Sequence, residues 1–259
     1  MKTSAIARTL LPLFLIGASP SNPWRIPDPA RLLVIDTSRG RVVIEMEPRV
    51  APKAVERVSL LARRGTYDGL LFHRVIDGFV AQTGNPGNKD GGRTELPDVA
   101  AEFWFRPAVG DVTWVRSTGD VREGVLGSLP VVKGSIAEHW VASCAGMFGM
   151  GRERDLDTAN AEIFINRAAT RELDHDYTLF GRVLSGQAAV DALAVGHPPP
   201  RPDRMVRVRL ASDMPPGERP RVAVMDARAP AFAAIVAARK RHKGAALSIC
   251  DLLPPVRDL

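Results

Sequence analysis

The side chains that could support covalent or metal chemistry in this chain do not occur in the patterns which that chemistry requires. Serine, histidine and aspartate are all present, but no G-x-S-x-G motif lies at a strand-to-helix turn, which disfavours a hydrolase. Cys144 and Cys250 lie more than a hundred positions apart, and no His/Cys spacing near them indicates a zinc site. We therefore expect neither a metal nor a cofactor.

The most distinctive segment runs from Gly65 to Pro86 and reads GTYDGLLFHRVIDGFVAQTGNP. It resembles the signature of the cyclophilins, whose core reads Y-D-G-x-x-F-H-R-V-I-x-x-F-x-x-Q-x-G-D-P. Further segments resemble the same family in the same order along the chain. They are IDTSRGRVVIE from Ile35, APKAV from Ala51, GMGR from Gly149, TANAEIFI from Thr158 and LDHDYTLFGRV from Leu173.

The resemblance covers the chain from about Leu32 to Leu210, with one long interruption in the middle. It implies a mainly β fold, a closed eight-stranded antiparallel β-barrel capped by two α-helices. It also implies a peptidyl-prolyl cis/trans isomerase that acts on proline-containing polypeptides without a cofactor.

Such an isomerase must lower a barrier of about 18–20 kcal/mol, which arises because the peptide nitrogen lone pair is delocalised into the carbonyl. It needs an apolar pocket for the proline ring and a donor aimed at the prolyl nitrogen. That donor stabilises the pyramidal nitrogen of the twisted state more than the planar ground state. Arg74 suits this role, since a guanidinium is always charged and carries several N–H groups in a rigid fork.

By the resemblance, two residues are catalytic and nine bind substrate. The catalytic pair is Arg74 and Gln82, and the substrate-binding residues are Phe79, Val80, Met150, Gly151, Arg152, Glu162, Phe164, Leu173 and Tyr177. Phe79 and Phe164 would form the aromatic floor of the proline pocket. His73 precedes Arg74, and strand alternation predicts that it turns away from the pocket as a structural residue.

Three positions depart from the family pattern. Glu162 replaces a glutamine, and an ionised carboxylate there could form a salt bridge with Arg74 and compete with substrate. Arg152 replaces the asparagine that commonly holds the substrate backbone. Glu172 replaces the tryptophan of cyclosporin-sensitive members, so we expect weak cyclosporin binding.

Periodicity and turn residues, taken without the resemblance, predict elements in compatible places. The predicted strands are 32–36, 41–46, 69–76, 162–166, 178–183 and 205–210, and the predicted helices are 52–64 and 187–193. Residues 84–151 are irregular and rich in glycine. A segment of this length is expected to be functional or to hold structure of its own, as a lid over the pocket or as extra strands.

The two ends of the chain predict an exported protein with an appended C-terminal element. Residues 1–20 have the basic, apolar and small-residue order of a secretory signal peptide, and 21–31 follow as a linker. The isomerase domain spans 32–212, with an insertion at about 87–148. Residues 213–259 form a βα extension, with a strand at 221–225 and a helix at 230–241, packed on that domain. The expected location is periplasmic or secreted.

Charge and cysteine content suggest no further partner. The net charge is +6, but the most basic run, Arg239 to Lys243, is typical of the last turn of a solvated helix, so we expect no nucleic acid. We expect no stable membrane insertion and a monomer. Cys144 and Cys250 are more consistent with buried free thiols than with a pair, although an oxidising compartment would permit a disulfide.

Two functions remain open at this point. The first is an active isomerase that accelerates X-Pro isomerisation in the folding of exported proteins. The second is a catalytically weak cyclophilin-fold module that binds proline-containing segments as a chaperone or scaffold. Whether Arg74 is free or locked by Glu162 discriminates between them.

Overall fold

The computed structural model describes residues 22–134 and 138–259, so the predicted signal peptide lies outside the described residues. The described chain contains fifteen strands and three α-helices. The strands are β1 (Trp24–Arg25), β2 (Leu32–Thr37), β3 (Gly40–Met46), β4 (Arg74–Val75), β5 (Val80–Thr83), β6 (Thr113–Thr118), β7 (Val121–Leu126), β8 (Leu129–Lys133), β9 (His139–Val141), β10 (Met147–Met150), β11 (Ile163–Asn166), β12 (Leu179–Ser185), β13 (Met205–Leu210), β14 (Val222–Met225) and β15 (Val256–Asp258). The helices are α1 (Pro52–Arg63), α2 (Gln187–Asp191) and α3 (Pro230–Lys243).

The central unit is an eight-stranded antiparallel sheet in the order β13-β2-β3-β12-β10-β11-β5-β4. It begins with the β2–β3 hairpin, whose turn is held by the Thr37 hydroxyl donating to the Gly40 carbonyl. Gly40 has a φ of +129°, a conformation that side chains with a Cβ rarely adopt. The fold prediction is confirmed, since the sheet carries the expected strands and curls on itself.

The two edges of this sheet meet through the chain that flanks β4 and β13. Leu71 forms an antiparallel bridge with Arg204, and the Phe72 amide donates to the Asp203 carbonyl at 2.9 Å. The predicted strand at 69–76 is thus mostly irregular, and only Arg74–Val75 pairs as β4.

Helix α1 covers one end of the sheet. Its first residue, Pro52, lies in the first turn, where no intrahelical N–H is needed. Its buried face packs toward β13 and consists of Ala54, Val58, Leu61 and Ala62. Helix α2 is shorter than predicted and packs on β3.

The predicted insertion folds as a second sheet, with strand order β6-β7-β8-β9. Two tight turns, at Gly119-Asp120 and Gly127-Ser128, connect the first three strands. Of the two open interpretations, a lid or extra strands, the described residues show extra strands.

The C-terminal extension forms a third sheet, β1-β14-β15, with the segment that the sequence predicts as a linker supplying β1. This sheet packs on the outer face of the barrel hairpin. The apolar residues that the two surfaces share are Leu32, Val34, Val43, Leu184, Ala211, Met214, Val222 and Val224. Strand β2 is therefore buried on both faces, which explains its unbroken apolar run, LLVI.

Cys144 and Cys250 form a disulfide, so the preference for free thiols was wrong. Cys144 lies between β9 and β10, and Cys250 lies in a short 3-10 helix of the extension, with Cα atoms 5.3 Å apart. The sequence could not place these residues together, because the contact depends on how the extension docks.

Helix α3 lies on the surface, and its last turn is basic and exposed, as predicted. In the described part of the chain, no helix is long and apolar enough to cross a membrane.

Candidate active site

A cavity of about 590 Å³ opens where β4, β5, β10 and β11 lie side by side. Ten of the eleven predicted site residues line it, namely Arg74, Phe79, Val80, Gln82, Gly151, Arg152, Glu162, Phe164, Leu173 and Tyr177. The register explains why residues distant in sequence meet here, since Gln82 pairs with Arg74 on one side and Phe164 on the other.

Arg74 is held by a neutral partner. Its Nη1 donates to Gln82 Oε1 at 2.8 Å, and its guanidinium carbon lies 5.8 Å from the centre of the Phe79 ring. Among the described residues no carboxylate lies within 4.0 Å of its guanidinium nitrogens, and Glu162 is no exception. The other N–H groups of Arg74 are therefore not taken up by an ion pair.

The aromatic floor is formed by Phe164, which is only 4% exposed. The Tyr177 ring meets it edge to face at a centroid distance of 5.6 Å. The close packing of the Phe164 ring on β10 depends on Gly149 in that strand. A Cβ at this position would lie 2.8 Å from Phe164 Cζ and 2.8 Å from the Thr178 carbonyl oxygen. This floor offers a proline ring an apolar surface.

Arg152 forms a rigid part of the rim. Its guanidinium lies 4.8 Å from the centre of the Tyr177 ring and donates to the carbonyls of Asp176, Glu153 and Arg154. Backbone carbonyls occupy its Nε and Nη1 donors, and unlike an asparagine amide at this position a guanidinium offers no acceptor to a substrate backbone.

Glu162 lies at the start of β11, and its side chain is 12% exposed. Gly151 packs against Glu162. The basic atom nearest to the Glu162 carboxylate is His73 Nε2, which lies 3.7 Å from Oε1. Tyr67 anchors this end of the strand by donating to the Ala161 carbonyl at 3.1 Å, and burial raises the pKa of its hydroxyl above the ordinary value. His73 is 2% exposed and does not line the cavity.

Met150 is the predicted site residue that the structure places elsewhere. It is 1% exposed and belongs to the core, because alternation along β10 turns its side chain away from the face on which Gly149 and Gly151 lie.

Sequence reasoning missed eight residues of the cavity wall: Asp90, Gly91, Gly92, Arg93, Glu153, Arg154, Thr158 and Asn160. Asn160 organises this wall, since its amide accepts from the Thr94 amide and hydroxyl and donates to Asp98. The paired glycines were the available signal, because they let a loop backbone approach the cavity, but glycines are frequent throughout this segment.

Comparison with known proteins identifies the family. The family model for cyclophilin type peptidyl-prolyl cis-trans isomerase matches residues 32–211. A probable peptidyl-prolyl cis-trans isomerase from Brucella suis biovar 1 is 29% identical over 202 residues, which is 72% of this chain and 85% of the relative. Peptidyl-prolyl cis-trans isomerase-like 1 from Bos taurus is 27% identical, over 70% of this chain and 87% of the relative.

Two solved structures extend the comparison. A cyclophilin from Hirschia baltica superimposes with a TM-score of 0.82 at 32% identity, covering 90% of this chain and 92% of that one. A Cryptosporidium parvum cyclophilin, determined in the presence of the dipeptide Ala-Pro, gives a TM-score of 0.52 at 18% identity, over 69% of this chain and 98% of that one, and supports the fold alone. With the barrel, the cavity and the matched residues in agreement, this chain belongs to the cyclophilin family of peptidyl-prolyl cis/trans isomerases.

Proposed function

We propose that this isomerase accelerates X-Pro isomerisation during the folding of exported proteins, with Arg74 as the donor to the prolyl nitrogen. One observation carries the catalytic part: Arg74 lines the cavity beside an apolar floor and is bound by neutral Gln82 rather than by Glu162. A guanidinium held in this way keeps both its charge and free N–H groups for a substrate.

The mechanism follows from what the cavity offers. The proline ring packs on Phe164, Phe79 and Leu173, which removes apolar surface from water and fixes the ring. As the peptide bond twists, the nitrogen loses conjugation and its lone pair becomes a better acceptor. Arg74 donates to it at that point, and Gln82 keeps the guanidinium oriented.

The experiment compares the wild-type chain with Arg74→Ala in the cis-to-trans rate of a short Ala-Pro peptide. We expect kcat/KM to fall by on the order of 10²-fold, the usual cost of removing one preorganised donor. Arg239→Ala, on the exposed helix α3, is the matched control and should leave the rate unchanged.

The alternative, a binding module, is favoured by the rim, where backbone carbonyls occupy Arg152. Peptide binding without acceleration by the wild-type chain would establish that alternative and refute the catalytic role of Arg74.

The export part of the proposal rests on two features that point to the same compartment. Residues 1–20 have the order of a secretory signal peptide, and the Cys144–Cys250 disulfide suits an oxidising environment. Expression in a bacterium with and without residues 1–20, followed by cell fractionation and thiol titration, tests it. With residues 1–20 present, we expect periplasmic protein without free thiols. Without them, we expect cytosolic protein with two free thiols. Cytosolic protein from both would refute export.

A further inference from the structure

Beside the cavity, three side chains converge that are not hydrogen-bonded to one another. His73, Asp90 and Glu162 place one potential ligand atom each within 4.8 Å of one another. They come from different parts of the chain: His73 immediately precedes β4, Glu162 immediately precedes β11, and Asp90 lies on the loop after β5.

The sheet register brings the first two together. Strands β4 and β11 both pair with β5, and Gly84 follows the last paired residue of that strand. Gly84 has a φ of +88°, and a Cβ there would lie 2.7 Å from the Ala161 carbonyl oxygen. A side chain at Gly84 would therefore collide with Ala161 and Ile163, the two residues that flank Glu162 at the start of β11.

His73 is the decisive member of the cluster. It is 2% exposed, and within the described chain neither of its ring nitrogens has a hydrogen-bond partner. Its Nε2 lies 3.1 Å from Asp90 Oδ1 and 3.7 Å from Glu162 Oε1, but without the direction that a hydrogen bond requires. A buried polar group left in this state destabilises the fold unless a ligand satisfies it.

The two carboxylates also lack a strong cationic partner. Apart from His73, Asp90 pairs with His197, whose Nε2 lies 2.5 Å from Asp90 Oδ2. Among the described residues, no lysine or arginine nitrogen lies within 4.0 Å of the Glu162 carboxylate. Two converging carboxylates and an unsatisfied imidazole form a donor set that a divalent cation would satisfy.

We propose that His73, Asp90 and Glu162 bind a divalent transition-metal ion of the zinc class. Zinc takes imidazole nitrogen and carboxylate oxygen at about 2.0–2.2 Å, so neighbouring ligands of a tetrahedral ion lie roughly 3.3 Å apart. The observed separations of 3.1 and 3.7 Å bracket that spacing. The imidazole disfavours Mg²⁺ and Ca²⁺, which prefer oxygen ligands.

The ion would reach this site through the cavity, since Asp90 and Glu162 both line it. Asp90 is half exposed and lies on a loop, so it can adjust to an ion, while the buried His73 is fixed. His197 would act as a positioning residue by holding the second oxygen of Asp90.

The test is calorimetric titration of the metal-stripped, folded chain with ZnCl₂. We expect one Zn²⁺ per chain and at least tenfold weaker binding in both Asp90→Asn and Glu162→Gln, which change charge but little volume. His242→Gln, on the exposed last turn of α3, controls for surface imidazoles and should bind as the wild type does. MgCl₂ at the same concentration should not compete.

The site is refuted by the absence of saturable one-to-one binding, or by binding that either carboxylate variant leaves unchanged. Thermal unfolding without metal separates misfolding from lost ligation, because a variant that fails to fold is detected before the titration. The titration does not use catalysis, so it is independent of the function proposed for Arg74.

Discussion

The cavity and the junction of the barrel with the insertion and the extension use arginine in contrasting ways. In the cavity, Arg74 has one neutral side-chain partner and open donors. At the junction, Arg182 on β12 is partly buried and donates to the carbonyls of Ser128 in the insertion and Pro254 in the extension. Burial lowers the pKa of Arg182 to about 10. We propose a substrate role for the first arginine, whereas the second joins three parts of the protein.

We call three groups of contacts among the barrel, the insertion and the extension the brace. It consists of the Cys144–Cys250 disulfide, the two hydrogen bonds of Arg182, and the hydrogen bond from Arg116 to the Leu247 carbonyl at 2.7 Å. Since no member of the brace lines the cavity, stability and catalysis should respond to different substitutions. The following variants test that separation.

The largest effect on stability is expected from Cys250→Ser. The disulfide closes a loop with a sequence separation of 106, and a crosslink over about 100 residues is worth up to about 4.7 kcal/mol in the chain-entropy model. We expect the free energy of unfolding in urea to fall by about 3–4 kcal/mol, with kcat/KM at low temperature within twofold of wild type. The double variant with Cys144→Ser should lose no more, since both changes break one bond. A parallel loss of activity would contradict the separation.

Arg182→Met should have the next largest effect. Two buried carbonyls lose their donor, at about 1–3 kcal/mol each, but the variant also removes a desolvated charge. We expect a net loss of about 2 kcal/mol in the free energy of unfolding. Combined with Cys250→Ser, the loss should fall short of the sum, because both contacts hold the extension. If the two losses in the free energy of unfolding add exactly, Arg182 and the disulfide stabilise the protein independently of each other.

A smaller effect, dependent on pH, is expected where the barrel edges meet. Burial would raise the pKa of Asp203, but donation from Ser38, Ala194 and Arg39 outweighs burial and holds that pKa below its ordinary value of 3.8. The charged form is therefore favoured in the folded state, so the stabilisation is present above the unfolded pKa and is lost as the pH falls through the folded pKa.

Asp203→Asn measures this contribution. We expect a loss of about 1 kcal/mol at neutral pH that shrinks toward zero below the folded pKa. Urea unfolding of both proteins at several pH values measures this loss. A stability difference that grows as the pH falls would show that the folded state raises the pKa of Asp203 instead of lowering it.

The cavity and the brace also differ in how far they could be predicted from the sequence. Arg74 and Gln82 lie in one continuous motif and meet across adjacent strands, so the resemblance was enough to place them. Cys144 and Cys250 meet only when the extension docks, and no local pattern encodes that contact. The insertion sheet had a local signal that was missed, since Gly119-Asp120 and Gly127-Ser128 are glycine-containing two-residue turns between segments rich in valine and threonine.

The smallest expected effect, that of Glu162→Gln on catalysis, is also the most informative about the cavity. A salt bridge from this carboxylate to Arg74 was one of the expectations from the sequence, but the basic group nearest to Glu162 is the His73 imidazole. If no ion pair restrains Arg74, neutralising Glu162 frees no donor of the guanidinium. We therefore expect kcat/KM, measured with a chelator present, to change by less than about threefold, or roughly 0.6 kcal/mol. A rise of tenfold or more would show that the carboxylate does compete with substrate for the guanidinium. In that case the neutral partner Gln82 would not be what keeps Arg74 available, and the contrast between the cavity and the brace would fail at its central residue.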